Sequence, residues 1–255
     1  MKTIMQYNGV KIEDLKQIAL DAGKLIMEIY NKDFQIDYKD DKSPLTEADT
    51  KSNELICKSL KKLYPNIPIM SEENKQTSYK IRKNWEYYFC VDPIDGTKEF
   101  IKKNGEFTVN IALIHKNTPI LGVVYAPALN DMYYSDGTNS FKNEEKLPLK
   151  TNNTPKEKLF VVASKSHLSS ETQEFIDNLD TKEVEQVSKG SSLKLCMVAE
   201  GIADIYPRLA PTMEWDTAAA DAVVRNAGKM TYQYESNTQV VYNKEDLLNP
   251  CFVVK

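Results

Sequence analysis

Cysteine is sparse in this 255-residue chain: Cys57, Cys90, Cys196 and Cys251 lie far apart, and no C-x-x-C pair occurs. That excludes the usual zinc and dithiol motifs and favours a reducing compartment. Histidine is scarcer still, two in all, and the chemistry developed below needs neither. No apolar stretch approaches the length of a membrane-spanning helix. Met1 to Gly9 lacks the apolar run of a signal peptide. The expected location is therefore the cytoplasm, with peripheral attachment at the inner membrane left open. No internal repeat or low-complexity segment stands out. Charge of one sign is also lacking: the net charge is −4. That argues against a surface for nucleic-acid polymers, yet leaves room for a small basic pocket around one phosphorylated ligand.

What is present is a composition that folds. Hydrophobic residues make up 41% and charged residues 27%, as in soluble globular chains, and the length allows one large domain or two joined ones. The central stretch is Val91-Asp92-Pro93-Ile94-Asp95-Gly96-Thr97-Lys98-Glu99-Phe100. The run Tyr87 to Val91 reads as a buried strand. It delivers Asp92 and Asp95 into a turn made by Pro93, which has no N–H, and Gly96, which tolerates positive φ. Two carboxylates so close repel, and a hard cation such as Mg²⁺ relieves that. Amides of Gly96 and Thr97 at the same turn suit a phosphate. An exposed Asp-Pro, Asp-Gly turn is the plainer alternative.

Along the chain, apolar residues from Ile12 to Ile29 recur at three- and four-residue steps, which predicts a helix over 10–30. A second helix starts at Thr46, with Asp49 as the acidic member of a capping box, and stops before Pro65. Ile67 to Ser71 reads as a strand leading into Glu72-Glu73, and 74–84 as a mobile loop over the site. Strands are expected over 107–114, 120–125 and 131–135, the first two joined as a hairpin. The stretch 141–158 is rich in Lys, Glu, Asn, Thr and Pro. It suggests two halves, 1–145 and 146–255. The second half alternates: strands at 159–163, 184–187, 203–206, 230–234 and 251–254, helices at 169–179, 191–200 and 216–227, the last two closed by Gly201 and Gly228. The fold class is α/β of the α+β kind, two layered units forming one sandwich. Asp216, at a helix start, suits the positive end of the helix dipole. Ala218, Ala219 and Ala220 would let that helix approach another backbone closely. Gly190-Ser191-Ser192-Leu193-Lys194 places hydroxyls and a lysine at a helix start, which suits an anion or a simple cap.

D-P-I-D-G-T, with E-E upstream and W-D-T-A-A-A downstream, resembles the inositol monophosphatase superfamily of Mg²⁺-dependent, lithium-sensitive phosphatases. The likeness covers most of the chain. Thr97 to Ile101, Asn104 to Asn110 and Gly190 to Lys194 look like its branch of CysQ-type 3'(2'),5'-bisphosphate nucleotidases. The resemblance implies an αβαβα sandwich. It implies two or three Mg²⁺ ions held by Glu72, Asp92, the Ile94 carbonyl, Asp95 and Asp216, with the site between the two halves. It makes Asp49 and Thr97 the pair that orients the attacking water, with Glu73 close by. Substrate would touch Glu72, Asp95, Gly96, Thr97 and Asp216, with Ser191 and Lys194 on the nucleotide or its second phosphate. Arg208, after Tyr206-Pro207, is a further candidate for that contact or a plain surface arginine. His167, in Ser164-Lys165-Ser166-His167, would lie near the base, or serve only in capping or packing. The family often has Arg where Lys165 stands, and Gly where Ala220 and Lys229 stand.

The expected substrate is adenosine 3',5'-bisphosphate and its sulfated form, losing the 3'-phosphate to a metal-activated water. An inositol or sugar monophosphatase with the same metal centre is one alternative, and an inactive nucleotide-binding relative another. The filled carboxylate positions weigh against the last. Oligomeric state is not legible.

Overall fold

Leu15, Ile18, Ala22 and Ile26 fall on one face at helical spacing and are fully or almost fully buried, so Ile12–Tyr30 forms helix α1. The computed structural model describes residues 7–32, 34–38, 44–149, 157–163 and 169–255. Strands β1 (Ile36–Tyr38) and β2 (Pro44–Thr46) pair antiparallel. Helix α2 (Glu47–Leu63) follows, with Thr46 as its cap. Then come β3 (Ile69–Ser71), a helical turn α3 (Tyr79–Arg82), β4 (Tyr87–Asp95) and the short α4 (Thr97–Ile101). Strands β5 (Thr108–His115), β6 (Thr118–Ala126), β7 (Asp131–Ser135), β8 (Ser140–Lys142) and β9 (Glu145–Lys146) continue as a meander. Strands β3 to β9 form a seven-stranded sheet in sequence order. Only the β3–β4 pair is parallel.

The second half opens with β10 (Lys158–Val162), α5 (Ser170–Asp177) and β11 (Glu183–Val187), the two strands parallel. It goes on through α6 (Leu193–Glu200), β12 (Tyr206–Arg208), α7 (Glu214–Asn226), β13 (Thr231–Gln233) and β14 (Phe252–Val254). The last three strands pair antiparallel in the order β12-β14-β13. A parallel bridge from Val161 to Ile205 links β10 to the run into β12.

Strand alternation assembles the layers. Phe89, Val91, Ile111 and Val123 face α1 and α2. Tyr88, Cys90, Ala112 and Val124 face the other way, into a cluster with α6, α7, Phe252 and Val254. On the small sheet, Val162 joins that same cluster, while Val161 packs outward against Ile176 of α5. The order is therefore helices, sheet, helices, sheet, helix, the expected αβαβα sandwich. Helix α7 lies directly on β6: a Cβ at Gly122 would stand 2.2 Å from the Ala219 carbonyl oxygen. Small residues make that approach possible, as Ala218 to Ala220 suggested.

Three expectations differ from the structure. The strand expected at 203–206 lies at Tyr206–Arg208, with only Ile205 bridging before it. The final strands, expected to finish the same sheet, form a three-stranded ladder that meets β10 through the run at Ile205. The stretch 74–84 is no plain loop: Arg82 is only 3% exposed, bonded to Asn243 and Glu245. Its polar composition pointed to solvent, but partners some 160 positions away bury it. The four cysteines are free, three of them buried.

Candidate active site

Asp92 is where the geometry begins. It is buried at the end of β4, opposite Asn110, and its Oδ1 accepts from Ile94 N at 3.0 Å. The register with β5 slips between Asp92 and Asp95. Such a slip turns a strand, and here it leaves Asp95 half-buried at the rim. Gly96, at φ 92°, completes the turn into α4. That region is costly for a side chain, and a Cβ there would also press on the Glu106 carbonyl and on Ser191 Cβ, each at 3.3 Å. The turn is thus an internal one rather than an exposed Asp-Gly corner.

Three more carboxylates surround Asp92. Burial, first, and then the charges of Glu72, Asp95 and Asp216 push its carboxyl well above the usual carboxylate range. Asp216, reached from α7, is pushed up to about 7, by burial first and then Asp95. Its Oδ2 also accepts from Met213 N at 2.8 Å, so it closes its own helix start. Glu72 and Glu73 sit half-buried on the turn after β3, and Glu72 N donates to Val91 O at 3.1 Å, which fixes that turn beside β4. Among the described residues, no three His, Cys, Asp or Glu side chains form a closed ion-holding group as they stand. The bonds explain why: Asp216 is turned to its helix, and Asp95 Oδ2 lies 2.5 Å from Ser192 Oγ. The donor set itself, hard oxygens gathered around the buried Asp92 carboxylate, is the chemistry a divalent cation satisfies.

Asp49 carries two tasks on two oxygens. Oδ2 accepts from Thr46 N at 2.8 Å, the acidic half of the capping box, and also from Thr46 Oγ1 at 2.6 Å. Oδ1 accepts from Thr97 Oγ1 at 3.1 Å. Burial raises the Asp49 carboxyl, and the threonine hydrogen bonds hold that rise back.

Beside this lies a cleft of about 340 Å³ whose lining includes Glu99, Glu106, Lys194, Tyr206 and Arg208. Burial pushes the Lys194 ammonium down, Arg208 adds to that, and Asp95, Glu99 and Glu106 oppose it. Ser191 Oγ and Arg208 Nε are buried with no hydrogen-bond partner among the described residues. Groups in that state suit a ligand. Lys194 stands on the first turn of α6 as expected, but Ser191 lies before it and no side chain caps the helix. Helix α6 begins at Leu193, Ser191 takes φ 47°, and the Ser192 side chain makes no cap. His167 lies outside the described residues.

Sequence reasoning missed Ser192 and Asn110. Asn110 Nδ2 donates to Ser192 Oγ at 2.8 Å, and Ser192 Oγ stands 2.8 Å from the Asp216 carbonyl as well as against Asp95. One hydroxyl thus ties the D-P-I-D turn to the start of α7. Both residues fall within stretches singled out for their likeness, but only the fold puts them in contact.

The family model described as the inositol monophosphatase family matches residues 11–250. The chain belongs to that family. It is 43% identical over 249 residues to the 3'(2'),5'-bisphosphate nucleotidase CysQ of Salmonella typhimurium, covering 95% of this chain and 98% of that one. To the protein of the same description from Escherichia coli K12 it is 42% identical, with the same coverage. Among solved structures, CysQ from Bacteroides thetaiotaomicron superposes with a TM-score of 0.85 at 43% identity, covering 98% of this chain and 97% of that one. The inositol monophosphatase of Thermotoga maritima superposes with a TM-score of 0.77 at 24% identity, covering 96% and 91%. That likeness is one of fold. No helix among the described residues is long and apolar enough to cross a membrane.

Proposed function

We propose that this protein is a Mg²⁺-dependent 3'(2'),5'-bisphosphate nucleotidase that removes the 3'-phosphate of adenosine 3',5'-bisphosphate or its sulfated form in the cytoplasm. The observation that carries the reading is a pairing of opposites. A buried set of repelling carboxylates around Asp92 adjoins a cleft that holds Lys194 and Arg208. The first suits divalent cations and the second a phosphate, so a substrate with two phosphates suits both. The extent of identity to the CysQ nucleotidases supports the same substrate class.

Glu72, Asp92, the Ile94 carbonyl, Asp95 and Asp216 are the groups that would hold Mg²⁺, two or three ions in the family pattern. Bound there, Mg²⁺ supplies an acidified water and neutralises charge on the phosphoryl and leaving oxygens. The chain's own part is positional. Thr97 Oγ1 gives its proton to Asp49 Oδ1 in preference to the Ile94 carbonyl, which is farther at 3.4 Å. Its lone pairs are then left to accept from the attacking water. As the water oxygen bonds to phosphorus and the bond to the 3'-oxygen breaks, the water's proton passes through Thr97 to Asp49. Glu73, on the turn after β3, is assigned to share that task. The amides of Gly96 and Thr97 serve the phosphoryl oxygens. Ser191, Lys194 and Arg208 hold the 5'-phosphate, and His167 is assigned to the base.

The test is phosphate release from adenosine 3',5'-bisphosphate, adenosine 3'-monophosphate and inositol monophosphate, each with Mg²⁺ and after exhaustive chelation. The bisphosphate should be turned over best and chelation should abolish it. Preference for inositol monophosphate would overturn the substrate, and full activity after chelation the metal.

A further inference from the structure

Glu214 opens α7 two residues before Asp216 and is fully buried. Its carboxylate accepts from Asn243 N at 2.7 Å, Lys244 N at 3.0 Å and Lys244 Nζ at 2.5 Å. The same stretch, 243–249, grips the helix start elsewhere. Glu214 N donates to Leu247 O at 3.0 Å and Asn249 N to Thr212 O at 2.8 Å. Asn249 Nδ2 donates to Met213 O at 2.8 Å and to Thr217 Oγ1 at 3.0 Å.

Stretch 243–249 is itself held from the other side. Arg82 closes α3, on the segment that leaves Glu72 and Glu73. Its Nη1 donates to Asn243 Oδ1 at 2.9 Å and its Nη2 to Glu245 O at 2.7 Å. Asn243 Nδ2 donates back to Arg82 O at 2.8 Å. Asn243 is therefore bonded through its side chain to the Glu72 segment and through its amide to the Asp216 helix. It holds φ at 61°, a region that suits asparagine.

We propose that Arg82, Asn243 and Glu214 are positioning residues. They fix the spacing between the Glu72 turn and the Asp216 helix start, and thereby set the affinity of the site for divalent metal. The proposal rests on the metal reading given above. Its logic is electrostatic. Glu72 and Asp216 come from opposite halves of the chain and both raise the charge cost of Asp92. Like charges push their carriers apart, so a frame outside the site must keep them close. Arg82 and Glu214 sit on the two segments concerned, and the stretch 243–245 is hydrogen-bonded to both. Asp221 offers a contrast on the same helix. It is equally buried, and among the described residues it is paired with Arg225 and Tyr242.

The experiment measures Mn²⁺ affinity by electron paramagnetic resonance on the full chain, beside the Mg²⁺ concentration for half-maximal turnover. The proteins are wild type, Glu214→Gln, Arg82→Lys, their double variant and Asp221→Asn. Each of the first two substitutions should weaken Mn²⁺ binding by about 10–100-fold and raise the Mg²⁺ requirement in step. The double variant should fall short of the product of the two, because both act through Asn243. Asp221→Asn should lower Tm and keep wild-type affinity. Unchanged affinity in folded Glu214→Gln overturns the proposal, as does an equal loss in Asp221→Asn, which would mark general loosening. Should Glu214→Gln fail to fold, Arg82→Lys decides by the same readout. Wild type that binds no Mn²⁺ would sink the metal reading itself, an outcome visible before any variant is compared.

Discussion

Two groups of buried carboxylates share this core and are treated in opposite ways. Glu200 and Asp221 are paired with cations and hydroxyls of the protein, although Asp221 Oδ1 is left without a hydrogen-bond partner among the described residues. Glu200 accepts from Tyr133 OH at 2.5 Å and Lys142 Nζ at 3.2 Å. Asp221 accepts from Arg225 Nε at 2.9 Å and Tyr242 OH at 3.0 Å. Around Asp92 the near neighbours are Glu72, Asp95 and Asp216, and each makes ionisation harder. A buried charge with a cation partner is a structural part, and removing one partner costs stability. A buried charge among like charges costs stability as it stands and marks a place kept for something else. The cleft beside it is of mixed sign: burial first, and then Arg208, makes it harder for Lys194 to stay charged, while Asp95, Glu99 and Glu106 oppose that.

The sharpest way to break the comparison is to exchange the outcomes. Asp95→Asn and Asp216→Asn should each lower kcat by ~10²–10³-fold with Tm of the metal-free protein held or raised. If either variant unfolds instead, its carboxylate belongs with the structural group. Asp221→Asn should do the reverse: a loss of about 3 kcal/mol in denaturant unfolding, with kcat per folded molecule retained.

Lys194→Ala tests the cleft. A charge-assisted bond to phosphate is worth roughly 1.5–3 kcal/mol. The variant should therefore lose ~10–150-fold in kcat/KM on adenosine 3',5'-bisphosphate and far less on adenosine 3'-monophosphate. Equal losses on both would move Lys194 to the metal side.

The smallest effect is in pH. Asp216 is raised from 3.8 to about 7 in the folded chain. A carboxyl raised on folding binds its proton more tightly in the folded state. Its stabilising contribution is full below the unfolded value and is lost as pH climbs through the folded one. Metal-free protein should thus lose Tm as pH rises between about 4 and 7. Mg²⁺ should restore more Tm at pH 8 than at pH 5. A Tm without slope over that window, or Mg²⁺ acting equally at both ends, would place Asp216 with the paired carboxylates.

Much of this was legible from local pattern. The period of Leu15, Ile18, Ala22 and Ile26 gave α1, and the capping box at Thr46 and Asp49 placed the start of α2. The D-P-I-D-G-T run announced a sharp turn with paired charges. These features arise within a few residues, where spacing alone controls which side chains meet. The strand before α7 was misplaced by a few residues, because its limits depend on which residues find a partner in β14.

The sequence by itself determined the carboxylate inventory, the turn that presents Asp92 and Asp95, the helices with their caps, and the kinship. Tertiary structure alone decided which charges face one another. No local spacing shows that Asp221 meets Tyr242 while Asp92 meets Glu72, or that Ser192 closes on Asp95 and Arg82 on Asn243. The physical reason is range. Helix periods and turns are set by neighbours along the chain. The charge cost of a carboxylate is set by burial and by whatever stands within a few ångströms, and only the packed layers bring those groups there.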